Sequence, residues 1–320
     1  MSLLKNDSLR LNQRTLKNAI HCSGVGLHSG ARITMTLHPA EADHGIVFVR
    51  SDRRGAPRIA ATWDNAIETP LCSTLVGADG IKVATIEHLL SAFAGCGIDN
   101  VLVELDGAEV PIMDGSAAPF VFLIECAGTL EQPESRRALK IVKTVEVVEP
   151  HRAALLAPAS PGATNLLEID FEIDFDSPLI ARQSWRLSLD PDSYRREICR
   201  ARTFGFLHEV DQLRARGLGL GGSLDNAIII DGKGILNEGG LRYENEFVRH
   251  KILDSIGDLY LAGGPIAGSF TGRRAGHALT LRLLKTLFAD KSAWRWVRLD
   301  ETLPALAAGA LPARAVAARA

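Results

Sequence analysis

The chain has 320 residues, 46% hydrophobic and 23% charged, an ordinary make-up for a globular protein with room for two domains. Thirty-six Lys and Arg against 38 Asp and Glu leave a net charge of −2, so bulk charge points to neither nucleic acid nor an anionic membrane. Five scattered cysteines (Cys22, Cys72, Cys96, Cys126 and Cys199) with no CxxC fit reduced cytoplasmic thiols, not a disulfide framework or a cysteine zinc site.

Residues 1–12 read as a loose start, without the apolar core of a secretory signal. GVGLHSG is a loop between strands and holds His28; ITMTLHP and GIVFVR read as strands. Ala60–Leu75 reads as more strand and turn. Ile86, Leu89, Leu90 and Phe93 predict a helix from about Thr85, stopped by Gly95 or Gly97. NVLVELDG is a strand. SAAPFVFLIECAG follows as a helix with Ser116 as N-cap, Pro119 in the first turn and Gly128 at its end.

The polar stretch Glu131–Arg137 reads as a linker between a first domain at 13–130 and a second at 138–303. LKIVKTVEVVEP and LLEIDFEIDF resume the strand pattern. A helical segment from Ser193 is predicted to run into CRARTFGFLHEV and a second short helix to Arg216. GLGLGGSLDN is a glycine-rich loop and AIIID a strand. Phe247–Leu261, FVRHKILDSIGDLYL, carries apolar residues at helical spacing. IAGSFT is a strand, GHALTLRLLKTLFAD a closing amphipathic helix, and 304–320 an Ala- and Arg-rich tail expected to fray. No apolar run approaches ~18 residues, so no transmembrane segment is expected.

The halves echo each other: strands, a helix with a polar face, glycines, a short strand, a closing helix. Such a duplicated α+β unit, with its copies facing each other, brings the two polar-faced helices to one interface. One helix carries Glu87 and His88. The other carries His250, Asp254 and Asp258 at steps of four, which lie along one face. His88, His250 and Asp254 are therefore expected to bind one Zn²⁺, with a fourth position for water. Glu87, next to a ligand, is placed to act as general base. Taken singly, Glu87 is ordinarily a helix cap and His88 a core histidine; the joint pattern favours the site.

Asp258 suits a carboxylate that orients a histidine, and His277, after Gly276 at a helix start, is its best partner. The spacing alone leaves His277 open between acid or oxyanion stabiliser and an ordinary helix-start residue. Lys251 projects to the rim and suits a phosphate, although a lone Lys is ordinarily a solvated one. GLGLGG matches GxGxxG, but it follows a helix and precedes a strand, the reverse of a dinucleotide fingerprint. No GxSxG or GxxxxGK[ST] occurs. Two His and a carboxylate also suit Fe²⁺, although the His-x-Asp or His-x-Glu of oxygenase sites is missing.

These residues carry a resemblance. TLKNAIHCSGVGLHSG, TIEHLLSAFAGCGIDN, PIMDGSAAPFV, CRARTFGF, GLGLGGSLDNAIIID, LRYENEFVRHKILDSIGDLYLAGG and AGHAL resemble the UDP-3-O-acyl-N-acetylglucosamine deacetylase family, over residues 14 to 290. That family contains the zinc amidases of the committed step of lipid A synthesis. The resemblance implies two similar two-layer α+β sandwiches packed helix layer to helix layer, each with a small insert. It implies His88, His250 and Asp254 as zinc ligands, Glu87 as general base, and His277 paired with Asp258 as stabiliser or acid. Thr203 would polarise the amide carbonyl, and Lys251 would meet the phosphates. Asp174 and Phe175 match uridine-binding positions; Phe204 and Phe206 match the acyl-chain passage. His28 would sit at the site's edge, Gly276 is a substrate-binding candidate, and Cys72 falls near the metal. Gly219 stands where some relatives have a larger residue. The implied substrate is a UDP-linked acylated glucosamine and the implied protein a cytoplasmic monomer. The rival readings are a non-catalytic binder of nucleotide sugars or acyl chains, and an amidase on another N-acyl sugar.

Overall fold

The computed structural model describes residues 10–69, 71–232 and 234–301, so the expected tail 304–320 and residues 1–9 lie outside the described residues. The first half runs β1 (Asn12–Leu16), β2 (Ile20–Val25), β3 (Arg32–Pro39), β4 (Ile46–Arg50), β5 (Arg58–Ala60), β6 (Ala66–Ile67), β7 (Thr74–Val76), β8 (Lys82–Ala84), α1 (Glu87–Cys96), β9 (Val101–Leu105) and α2 (Ala118–Ala127). A five-stranded sheet in the order β2-β3-β9-β4-β5 forms its body, and β6-β7-β8 form a small separate sheet. Alternation places Ile33, Met35 and Leu37 of β3 in the core, as a half-buried strand requires.

The chain continues through β10 (Thr129–Ser135), β11 (Arg137–Ile141), β12 (Val145–Glu149), β13 (Arg152–Ala157), β14 (Leu167–Asp174), β15 (Arg182–Leu189) and α3 (Pro191–Ser193), which passes into a π-helical turn at Tyr194–Ile198. Then come β16 (Phe204–Phe206), α4 (Leu207–Ala215), β17 (Ile228–Asp231), β18 (Gly234–Ile235), α5 (Glu246–Tyr260), β19 (Ile266–Arg273), α6 (His277–Ala289) and β20 (Trp294–Arg298). The larger sheet orders β12-β13-β19-β11-β20, with β14 also on β19 and β15 on β14. β16-β17-β18 form the second small sheet. The molecule is an α+β fold, and the echo is visible in it. Each polar-faced helix, α1 or α5, leads into a strand inside its sheet, β9 or β19, and then into a closing helix.

The two polar-faced helices pack on each other. Gly257 of α5 lies where a methyl group would strike the backbone of Glu87, so the helices meet backbone to backbone. α5 is buried on nearly every side, with Arg249 and Lys251 the least covered, because sheet strands lie behind it and α1 in front. Bonds between the halves close the seam: Trp63 N–H to Leu261 O at 2.8 Å, Tyr260 Oη–H to Ile98 O at 2.8 Å, and Arg136 Nε to Asp99 Oδ1 at 2.7 Å.

Several local expectations are corrected. The stretch Glu131–Arg137 between the two expected domains is mostly strand: β10, ending at Ser135, pairs antiparallel with β1, and its Pro133 is tolerated in a two-stranded ribbon. Ser116 is not the N-cap of α2; that place is Ala117, and the Ser116 hydroxyl takes the N–H of Ala118 while bonding Asp114. α1 starts at Glu87 because Thr85 has φ +57°, and it ends at Gly97 in the left-handed region. Gly95 lies inside the helix, against the ring of Tyr194. Phe204–Phe206 is strand, paired parallel with β17, so the helical segment from Ser193 does not run on through it; the second short helix expected up to Arg216 is α4. Strands β8, β13, β15, β18 and β20 carry no strand signal in the sequence.

Candidate active site

His88 on the first turn of α1 and His250 and Asp254 on α5 converge, each offering a ligand atom within 4.8 Å of the others. All three are buried. Asp254 Oδ1 lies 3.2 Å from His250 Nε2 and 3.5 Å from His88 Nε2, and the imidazoles stand edge to face at 5.0 Å. His250 Nδ1 is 3.0 Å from the Ala201 carbonyl. A carbonyl only accepts, so Nδ1 carries the proton and the Nε2 lone pair is free to ligate. Burial pushes the His250 imidazole down to about 3, against the pull of Asp254, so it stays neutral. Among the described residues Asp254 Oδ1 has no hydrogen-bond donor. A buried carboxylate oxygen facing two imidazole nitrogens is the environment a cation satisfies, and the donor set fits a divalent metal.

Burial opposes the charge on Asp254, but the Lys251 ammonium beside it holds its carboxyl well below the usual range. Lys251 Nζ donates to Asp254 Oδ2 at 2.7 Å. Burial works against its ammonium too; Asp254 outweighs it, and Lys251 stays charged.

Glu87, adjoining His88, is buried and accepts the Ser73 N–H on Oε2 at 2.9 Å. Burial raises its carboxyl to about 7, with His277 opposing. His277 opens α6, and its Nδ1 lies 2.9 Å from Asp258 Oδ2 and 3.1 Å from Oδ1. Ser73 Oγ donates to Asp258 Oδ1 at 2.5 Å. Burial pulls the His277 imidazolium down, yet Asp258, Glu87 and Asp254 together outweigh it and raise the group to about 10. Its Nε2 faces Glu87 Oε1 at 4.0 Å and Asp254 Oδ2 at 3.9 Å. A protonated donor, an acceptor poised near neutrality and a metal-type cluster thus share one buried space, an arrangement able to hydrolyse an amide.

Two cavities flank the cluster. One, of about 350 Å³, is bordered by Thr203 and Phe204 and walled by Leu27, Leu207, Val210 and Leu213. The other, about 240 Å³, is bordered by Asp174, Phe175, Asp176, Lys251 and Arg274. Phe175 and Phe204 pack edge to face at 5.6 Å, and Phe204 lies 6.2 Å from the His250 ring, so the cavities meet at one aromatic wall beside the cluster.

The sequence profile described as UDP-3-O-acyl N-acetylglycosamine deacetylase matches residues 13–289. The chain belongs to this family. It is 50% identical over 291 residues to the UDP-3-O-acyl-N-acetylglucosamine deacetylase of Xanthomonas axonopodis pv. citri (strain 306), covering 90% of this chain and 94% of that one. It is 51% identical over 291 residues to the enzyme of the same name from Xanthomonas campestris pv. campestris (strain 8004), with the same coverage. The one from Stenotrophomonas maltophilia (strain K279a) is 49% identical over 292 residues, covering 91% and 94%.

Among the residues that the family resemblance singled out, His88, His250, Asp254, Glu87, His277 and Asp258 come together in the structure. Thr203 is held by its own backbone, donating to Gly115 O and accepting from Ile228 N–H, both at 2.8 Å. Phe206 packs on Phe175 at 6.1 Å and His208 at 5.5 Å. His28 borders the apolar cavity, and neither ring nitrogen has a hydrogen-bond partner among the described residues. Gly276 is the N-cap of α6, and Cys72 is buried beside Ser73. Sequence reasoning missed Ser73, Arg274 and the Ala201 carbonyl. A carbonyl leaves no residue-type signal. Arg274 offered one, as a cation three residues before His277.

Proposed function

We propose that the chain hydrolyses the N-acetyl group of UDP-3-O-acyl-N-acetylglucosamine, giving UDP-3-O-acyl-glucosamine and acetate, the committed step of lipid A biosynthesis. The observation that carries this reading is the buried His-His-Asp cluster assembled from both halves, with Glu87 and His277 on its rim. Two imidazoles and one carboxylate suit Zn²⁺ in our reading, with Fe²⁺ the other ion such a site accepts. When bound, the ion supplies a water of lowered pKa and polarises the acetamide carbonyl.

The chain's own residues do the rest. His88, His250 and Asp254 would hold the ion, and the Ala201 carbonyl keeps His250 in the ligating tautomer. Glu87 takes the proton of the attacking water. His277, kept protonated by Asp258, and the Thr203 hydroxyl donate to the carbonyl oxygen as it gains charge. Glu87 and His277 are the two groups able to hand the leaving amine its proton. Lys251 and Arg274 meet the diphosphate, Asp174 and Phe175 the uridine. The cavity bordered by Phe204 takes the acyl chain, with Phe206 backing Phe175 and with His28 and Gly276 at the edges. The same reading divides the chain into domains at 13–130 and 138–303, and describes a cytoplasmic monomer. No helix among the described residues is long and apolar enough to cross a membrane.

Glu87→Ala should lower acetate release by ~10²–10⁴-fold while one metal ion per chain and product binding persist. Full turnover by that variant removes Glu87 from the mechanism. A panel of UDP-sugars separates the rivals: equal rates with and without the 3-O-acyl chain contradict the proposed substrate, and no acetate release from any sugar leaves only a binder.

A further inference from the structure

Glu109 lies just past β9 and is buried. Its Oε1 accepts the His28 N–H and the Thr85 Oγ1–H, both at 2.9 Å. Its Oε2 accepts the Ser29 N–H at 3.0 Å and the Ser29 Oγ–H at 2.8 Å. Four neutral donors thus share one carboxylate that forms no ion pair among the described residues. Gly26 borders the same nest, where a methyl group would strike the carboxylate itself.

The two sides of this nest lead to different parts of the site. On one side, Thr85 is a β-branched residue at φ +57°, a conformation that persists only when its surroundings impose it. Two residues later Glu87 opens α1, whose N-cap Ile86 offers no side-chain bond. The Thr85 hydroxyl bond therefore fastens the turn that presents Glu87 and His88. On the other side, Leu27 and His28 wall the apolar cavity. Their carbonyls accept the N–H groups of Gly221 and Leu220 at 3.0 and 3.2 Å, tying in the glycine-rich loop from the other half.

We propose that Glu109 is a positioning residue that joins the apolar cavity wall to the turn carrying Glu87, so that seating the acyl chain and aligning the base are one event. This rests on the deacetylase reading above. An acyl chain against Leu27 and His28 bears on the loop that Glu109 holds at residues 28 and 29, and the same carboxylate holds Thr85. A substrate without the chain leaves that loop unloaded.

The test is steady-state kinetics of the metal-loaded enzyme on the 3-O-acylated substrate and its acyl-free counterpart, with metal content and Tm measured on the same samples. Glu109→Gln puts an amide NH₂ where two donors already point. It should lower kcat on the acylated substrate about tenfold, and lower the preference for acylated over acyl-free substrate by a similar factor, with metal content unchanged. Thr85→Ala should lower kcat and leave KM for the acylated substrate in place, while Thr85→Ser, which keeps the hydroxyl, should restore kcat. Glu109→Gln that loses only Tm, keeping kcat and the acyl preference, overturns the proposal. If Glu109→Gln does not fold, equal kcat for wild type, Thr85→Ala and Thr85→Ser overturns it. A wild-type enzyme inactive on the acylated substrate overturns the deacetylase reading instead.

Discussion

Glu87 and His277 lie face to face in the same buried space, and both hold their protons more tightly than usual, for opposite reasons. Burial raises the Glu87 carboxyl to about 7, whereas the carboxylates around His277 overcome burial and raise it to about 10. Glu87 is a base only when ionised, so kcat/KM should rise as pH climbs through about 7. His277 donates only when protonated, so kcat/KM should fall at alkaline pH, at or below about 10, because a cation held by Asp254 disfavours the imidazolium. A cation beside Glu87 favours its ionised form, which puts the acidic limb of the metal-loaded enzyme at or below about 7. Asp258→Asn removes the nearest negative charge on His277 and leaves burial less opposed. Its alkaline limb should therefore move to lower pH while the acidic limb stays. A pH–rate profile measured on both proteins checks this, and an unmoved alkaline limb contradicts the pairing. At this scale the sequence was readable where side chains act. Glu87, His88, His250, Asp254 and Asp258 announce themselves by type and spacing, whereas the Ala201 carbonyl that orients His250 does not.

The helices α1 and α5 bring these residues together, and Gly257 sets how closely. A glycine inside a helix reads from sequence as a weak helix former, costing ~1 kcal/mol relative to Ala. Its reason appears only in the packing, where a methyl group would meet the Glu87 backbone. Gly257→Ala should cost ~1–3 kcal/mol by forcing α1 away, and should weaken metal binding because His88 moves with α1. Thermal unfolding and metal titration measure both, and a variant with wild-type Tm and metal affinity would show that the helices have slack. Periodicity made α5 legible almost to its ends, since its apolar stripe and its steps of four share one helical period. It failed at Phe204–Phe206, where the short strand is imposed by pairing with β17. It failed at Thr85 as well, whose left-handed backbone delays the start of α1. Pairing and strain of this kind come from distant residues and leave no local pattern.

At the scale of the whole chain, the repeated order of strands, polar-faced helix, strand and closing helix predicted two units facing each other. The structure shows that order in both halves, with β9 and β19 inside their sheets. The strand character of Glu131–Ser135 left no local pattern, because in β10 its polar residues need only pair with β1. The central claim is that α1 from one half and α5 from the other share a single ion. The most direct measurement is the zinc-edge X-ray absorption spectrum of the zinc-loaded protein, compared with His88→Ala. The account predicts two imidazole nitrogens at ~2.0–2.1 Å with oxygen ligands completing a tetrahedral shell, and one imidazole fewer in the variant. Sulfur scattering at ~2.3 Å, or a spectrum that His88→Ala leaves unchanged, would contradict it.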